Sequence, residues 1–192
     1  PFEAPEATAA SRALVDEFRD RLPDARFAIT GAVLMNNAFS EASQNDLGFL
    51  VPLMYAGIAV VTIILLRSIT GVIATVIIIA FSTLTAMGLG GWLGTALTPP
   101  SATAPTIIMT LAVADSIHIL ITALMEMRRG ADKRTAIERS LVVNFQPVLL
   151  TSVTTSIGFL TLNFSDAPPF HDLGNLTAMG VMAAWAFSIA LL

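Results

Sequence analysis

The chain alternates long apolar runs with short polar breaks. Residues 47–66, 71–93, 106–125, 141–162 and 173–192 are each about twenty positions long and nearly free of charge. Helical residues rise ~1.5 Å each, so runs of this length cross a hydrocarbon core ~30 Å thick. The pattern predicts an all-α polytopic membrane bundle of five transmembrane helices, the last truncated where the chain stops. The breaks TALTPPSATAP and SDAPPFHD, rich in proline and small residues, do not continue a helix. In the second run Ser82, Ala86, Gly90 and Gly94 recur every four residues, a small-residue groove that predicts close contact with a neighbouring helix.

Residues 1–40 read differently. Leu14, Phe18 and Leu22 recur at i, i+4, i+8 with charges between them, which predicts a short amphipathic helix ending at Pro23. ARFAIT, residues 25–30, then alternates with period two and reads as a strand. So few residues cannot bury a core of their own. The helix and strand are therefore expected to be the end of a larger external α+β domain, with residues 41–192 forming the bundle. A chain that starts at Pro1 and stops inside a span reads as a piece of a longer protein.

Basic residues orient the spans. Beyond residue 40 all six lysines and arginines, Arg67, Arg128, Arg129, Lys133, Arg134 and Arg139, fall after the first and third runs, and the two proline breaks have none. The positive-inside bias makes the basic loops cytoplasmic and places the proline breaks and the N-terminal segment outside. Residues 130–140 are expected to form a short amphipathic cytoplasmic linker helix capped by Asp132. Composition agrees, with 55% hydrophobic and 12% charged residues and a mean hydropathy of +0.76. The absence of cysteine excludes disulfides, thiol catalysis and Cys-ligated metals, and two histidines make poor material for a zinc site.

Candidate chemistry lies in LAVADSIHIL, residues 111–120. Asp115 is central to its run, where a carboxylate costs about 2.5–3.5 kcal/mol on insertion scales. It is therefore expected to face the bundle interior or a wet cavity. Asp115, His118, Thr122 and Glu126 follow i, i+3, i+7, i+11 and share one helical face, with Ser116 beside it. One turn apart, Asp115 and His118 form a coupled pair, and a site that gains and loses a proton near ambient pH can load from one side and release to the other. Asp115, His118 and Ser116 are the candidate proton relay. TSVTTSIGF in the fourth run adds Thr151, Thr154 and Thr155 as relay or packing residues, with Thr151, Thr155 and Gly158 on one face, and Pro147 marks a bend. No nucleophile, base and orienting group fall at recognisable spacing, so an enzyme is not expected.

AVADSIHIL, with TGAVLMNNAF, NDLGFLVPLM, LLRSITGVIAT, EMRRGADKRTAIERS and QPVLLTSVTTSIGFLTL in that order, resembles the RND superfamily of exporters, in particular the MMPL-like branch that is also similar to sterol-sensing domains. The resemblance covers most of the chain. It implies the end of an external, periplasmic porter domain over residues 1–40 and spans two to six of one repeat, in the inner membrane of a bacterium. The family's relay aspartate falls on Asp115, followed here by Ser116 where many members carry tyrosine or an acid. The implied function is proton-motive-force-driven export of a hydrophobic or amphiphilic, lipid-like substrate, with protons as the coupling ion and no other cofactor or metal. The implied partners are membrane lipids, that substrate, a second transmembrane repeat of the same protein, further copies in a homo-oligomer and periplasmic proteins, with no nucleic acid. Two other readings use the same helices: a sterol- or lipid-sensing module without coupled transport, and a motor subunit of protein translocation.

Overall fold

The computed structural model describes residues 3–192, apart from the side chains of Glu3, Ser43, Asp46 and Leu47. Among the described residues the regular structure is helical: α1 Glu3–Arg21, α2 Ala32–Gly48, α3 Leu50–Leu66, α4 Ile69–Trp92, α5 Ala104–Arg128, α6 Lys133–Leu160 and α7 Pro168–Leu191, with one-turn 3-10 segments at Ser101–Thr103 and Thr161–Phe164. Contacts divide the chain into two compact units, Pro1–Val51 and Pro52–Leu192.

In the first unit α1 packs on α2. Arg12 donates both guanidinium nitrogens to the Glu41 carboxylate at 3.0 and 3.1 Å, and Asn37 Nδ2 adds a third bond to Glu41 at 2.7 Å. The expected strand at residues 25–30 is absent, and with it the α+β character. That segment is irregular, because a single strand has nothing in this unit to pair with and its ladder groups would stay unsatisfied. The polar stretch before the first span, residues 36–46, lies within α2.

The second unit is the membrane bundle. Four of its helices are long and apolar enough to cross a bilayer, α4 to α7, whereas α3 has 17 residues. The run expected from residue 47 breaks at Phe49, so α3 starts at Leu50. α7 packs against α4, α5 and α6, which also pack α4 to α5 and α5 to α6. α3 joins through Met54, Tyr55 and Ile58, set against a core of Ile78, Ile79, Met109, Ala112 and Ala184.

Local chemistry sets the helix ends. Ser68 caps α4 and Asp132 caps α6, each side chain accepting a main-chain N–H three residues on. Pro105 opens α5, and Pro168 and Pro169 open α7, where missing N–H groups cost nothing. Asp132 caps as expected, but the expected linker at 130–140 is no separate helix: Lys133 to Leu160 run as one α-helix through Pro147. Residues 133–140 are bonded into the span by Ser140, whose Oγ donates to the Ile119 carbonyl at 2.5 Å.

Close packing depends on small residues. The α4 groove holds, with Ser82, Ala86 and Gly90 all buried, while Gly94 lies beyond the helix in a left-handed turn at φ 75°. At Gly90 a Cβ would collide with the Leu176 side chain, and at Gly180 with Ile108. Helices bury little water-excluding surface against each other in lipid, so such close approach is a main source of their attraction.

Candidate functional site: a buried carboxylate between two helices

α5 presents a stripe of small residues to its neighbours, with Ala104, Ala112, Ser116 and Ala123 buried. α6 answers with Ala136, Ser140, Asn144, Val148, Ser152 and Ser156, buried at every fourth position. Between these surfaces lies Asp115, 5% exposed and the one ionisable side chain in the buried class among the described residues. Ser152 Oγ donates to Asp115 Oδ2 at 3.3 Å, a long bond for two oxygens. Ser116 is fully buried and spends its hydroxyl on the Ala112 carbonyl at 2.7 Å.

The polar track continues along α6. Asn144 Nδ2 donates to the Ser140 carbonyl at 2.8 Å and to Ser140 Oγ at 3.3 Å. One turn beyond Ser152, Ser156 Oγ donates to the Ala178 carbonyl of α7 at 3.4 Å. Hydroxyls of α6 thus bond to α5 and α7 at three levels, and the middle one meets a carboxylate.

Other predicted site residues lie elsewhere. His118 is exposed on the bundle surface and Thr122 half-buried, its hydroxyl bonded to the His118 carbonyl at 2.9 Å. Glu126 has a side chain 16% exposed and accepts from Arg129 at 2.9 Å and from Arg139 of α6 at 3.1 Å. Thr151 and Thr154 are exposed with hydroxyls turned back to their own helix, Thr155 is half-buried, and a Cβ at Gly158 would meet nothing within 4 Å. In this bundle the Thr151, Thr155 and Gly158 face is therefore not a close-contact face. Ser152, Ser140 and Ser156 are not among the site residues that the sequence singles out. Their four-residue spacing with Asn144 and Val148 was the available signal, masked because five hydroxyls in six positions cover both sides of α6.

The MMPL family pattern matches residues 2–192. The chain belongs to the MMPL family. This MMPL chain is 24% identical over 185 residues to a protein of Methanocaldococcus jannaschii named "Putative membrane protein MJ1562", covering 93% of the chain and 48% of that relative. It thus spans about half the length of the curated relative it matches. No solved structure matches it. Family membership and the apolar helices make it a multi-pass membrane protein of the RND type.

Proposed function

We propose that this chain is part of a proton-driven exporter of a hydrophobic or amphiphilic, lipid-like molecule, with Asp115 as the group that carries the proton. One observation supports this above the rest: among the described residues the bundle buries a single ionisable side chain, mid-helix, whose hydrogen-bond partner is neutral Ser152 and which makes no ion pair. A lone carboxylate so placed is costly when charged and cheap when protonated. Proton gain and loss therefore changes how α5 packs on α6. One charge moved across 100 mV is worth ~2.3 kcal/mol, comparable to the about 2.5–3.5 kcal/mol cost of the charged form at mid-bilayer.

In this reading the basic turns face the cytoplasm of a bacterial cell, the first unit belongs to a periplasmic porter domain, and the exposed His118, Thr151 and Thr154 face a second repeat. Ser116 and Ser152 are the nearest hydroxyls to pass the proton on.

The experiment is Asp115→Asn in the whole protein, reconstituted in proteoliposomes with an imposed pH gradient. Asparagine keeps the size and a hydrogen bond to Ser152 but holds no titratable proton. Export of a fluorescent lipid analogue should fall to background while the melting temperature stays near that of the parent. Export at the parental rate would refute the carrier role, and ligand binding insensitive to pH would then favour a lipid-sensing module.

A further inference from the structure

Next to the apolar core, on its basic side, four helices each place a hydroxyl in the bundle interior. The core of Ile78, Ile79, Met109, Ala112 and Ala184, with Ile58 packed against it, sets the register of α3, α4, α5 and α7. One turn nearer the basic turns these helices carry Thr62, Thr75, Ser116 and Ser188, each at most 1% exposed. The far side gives the same register: a Cβ at Gly71 would lie 3.1 Å from Leu66 Cδ1 and 3.5 Å from Leu120 Cδ1. One turn inward from Leu66, Gly71 and Leu120 are Thr62, Thr75 and Ser116 again. Hydrocarbon thus closes the hydroxyl layer on both sides.

A serine or threonine inside a helix can satisfy its hydroxyl on the carbonyl four residues back. Thr75 donates in this way to Gly71 at 2.9 Å and Ser116 to Ala112 at 2.7 Å, which leaves lone pairs on both oxygens. Thr62 and Ser188 do not. Among the described residues neither hydroxyl has a hydrogen-bond partner, so each lies beyond bonding reach of the other and of the Thr75 and Ser116 oxygens. Both oxygens are also sealed from the outside of the bundle, so the partner each needs belongs within it. Two orphaned hydroxyls in one buried layer are costly unless something bridges them.

Matching donors to acceptors narrows the ligand. Thr62 and Ser188 offer two O–H groups, and Thr75 and Ser116 offer two accepting oxygens. A cation would leave both donors unused, and the buried carboxylate that could balance it, Asp115, bonds instead to Ser152 on the α6 side. An apolar molecule would leave the donors orphaned as well. Water accepts two bonds, donates two, and spans oxygens too far apart to bond directly. We propose that the layer binds one buried water molecule, which accepts from Thr62 and Ser188 and donates to Thr75 and Ser116. That water joins α3, α4, α5 and α7 one residue along the chain from Asp115. On the proton-carrier reading a shift of α5 reaches the other three helices through this joint, whereas the water site itself does not depend on that reading.

Infrared spectroscopy of the purified whole protein tests this. The difference between the parent and Thr62→Val, which keeps the shape and removes the donor, should contain a water O–H stretch that moves to lower frequency in heavy-oxygen water. A bound water exchanges its oxygen and a side-chain hydroxyl does not, so the shift identifies the water. Thr62→Ser keeps the donor and should keep the band. Thr62→Val and Ser188→Ala should each lower the melting temperature by about 1–6 °C, and the two together by less than the sum, because the same water is lost once. Asp115→Asn should keep the band, which separates this site from the proton carrier. A difference spectrum without an isotope-sensitive band, or melting temperatures that rise in both single variants and add in the pair, would overturn the proposal.

Discussion

Gly174→Ala isolates the packing of α7 against the end of α6. A Cβ there would press on the main-chain oxygen of Phe159 and lie 3.1 Å from Leu162 Cβ. Main-chain atoms within a helix cannot swing aside, so α7 must retreat by roughly 1 Å to restore an ordinary carbon–oxygen contact. Overpacking of this kind costs about 1–3 kcal/mol, and a main-chain obstacle argues for the upper half. Alanine also gains about 1 kcal/mol of helix propensity over glycine, which blurs a comparison with the parent. Gly158→Ala removes that ambiguity, since its added methyl meets nothing within 4 Å and it gains the same propensity. The difference between the two variants is then the packing term alone. Gly90→Ala falls between them, because its obstacle is the movable end of the Leu176 side chain. Thermal unfolding in detergent, followed by tryptophan fluorescence, should rank the melting temperatures Gly158→Ala highest, Gly90→Ala next and Gly174→Ala lowest. At about 2–4 °C per kcal/mol for a chain of this size, the outer two should differ by roughly 4–12 °C. If Gly174→Ala melts level with Gly158→Ala, the close contact of α7 with α6 is wrong.

Other expectations follow from the site and its surroundings. Ser152→Ala removes the neutral donor to Asp115 while sparing the carboxylate, so the pH profile of transport should shift with export itself retained; an unmoved profile would deny Ser152 any part in setting proton affinity. Glu126→Gln and Arg139→Gln should lower the melting temperature non-additively in a double-mutant cycle, with a coupling that fades as salt rises; additive effects would mean that the ion pair between α5 and α6 is not formed. In the first unit the Arg12 guanidinium holds the Glu41 carboxyl below its ordinary range. Its stabilising contribution is therefore complete above the ordinary value of about 4.3 and is lost as pH falls through the lowered one. Protection factors in α1 and α2, corrected for the intrinsic pH dependence of amide exchange, should fall on acidification below about pH 4, and Glu41→Gln should remove that fall.

The long apolar helices, the Asp132 cap and the membrane class were legible in the sequence, because each depends on the run length of apolar residues or on chemistry within one helical turn. Asp115 was legible too, as a carboxylate in hydrocarbon is conspicuous whatever surrounds it. The orientation of each helix about its own axis was not. A soluble helix marks its buried face with apolar residues, but in a membrane the outer face is equally apolar, so hydropathy could not separate Ser152 and Ser156 from Thr151 and Thr155, nor show that His118 turns away from Asp115. Small residues give the better clue, and on α4 the Ser82–Ala86–Gly90 groove did find its neighbours. The strand expected at residues 25–30 failed for a related reason: alternation states what a strand would look like, but only tertiary structure supplies the partner that makes it one. Contacts between helices decided that Ser152 is the group that meets the buried carboxylate, and that Ser156 reaches the main chain of α7 instead.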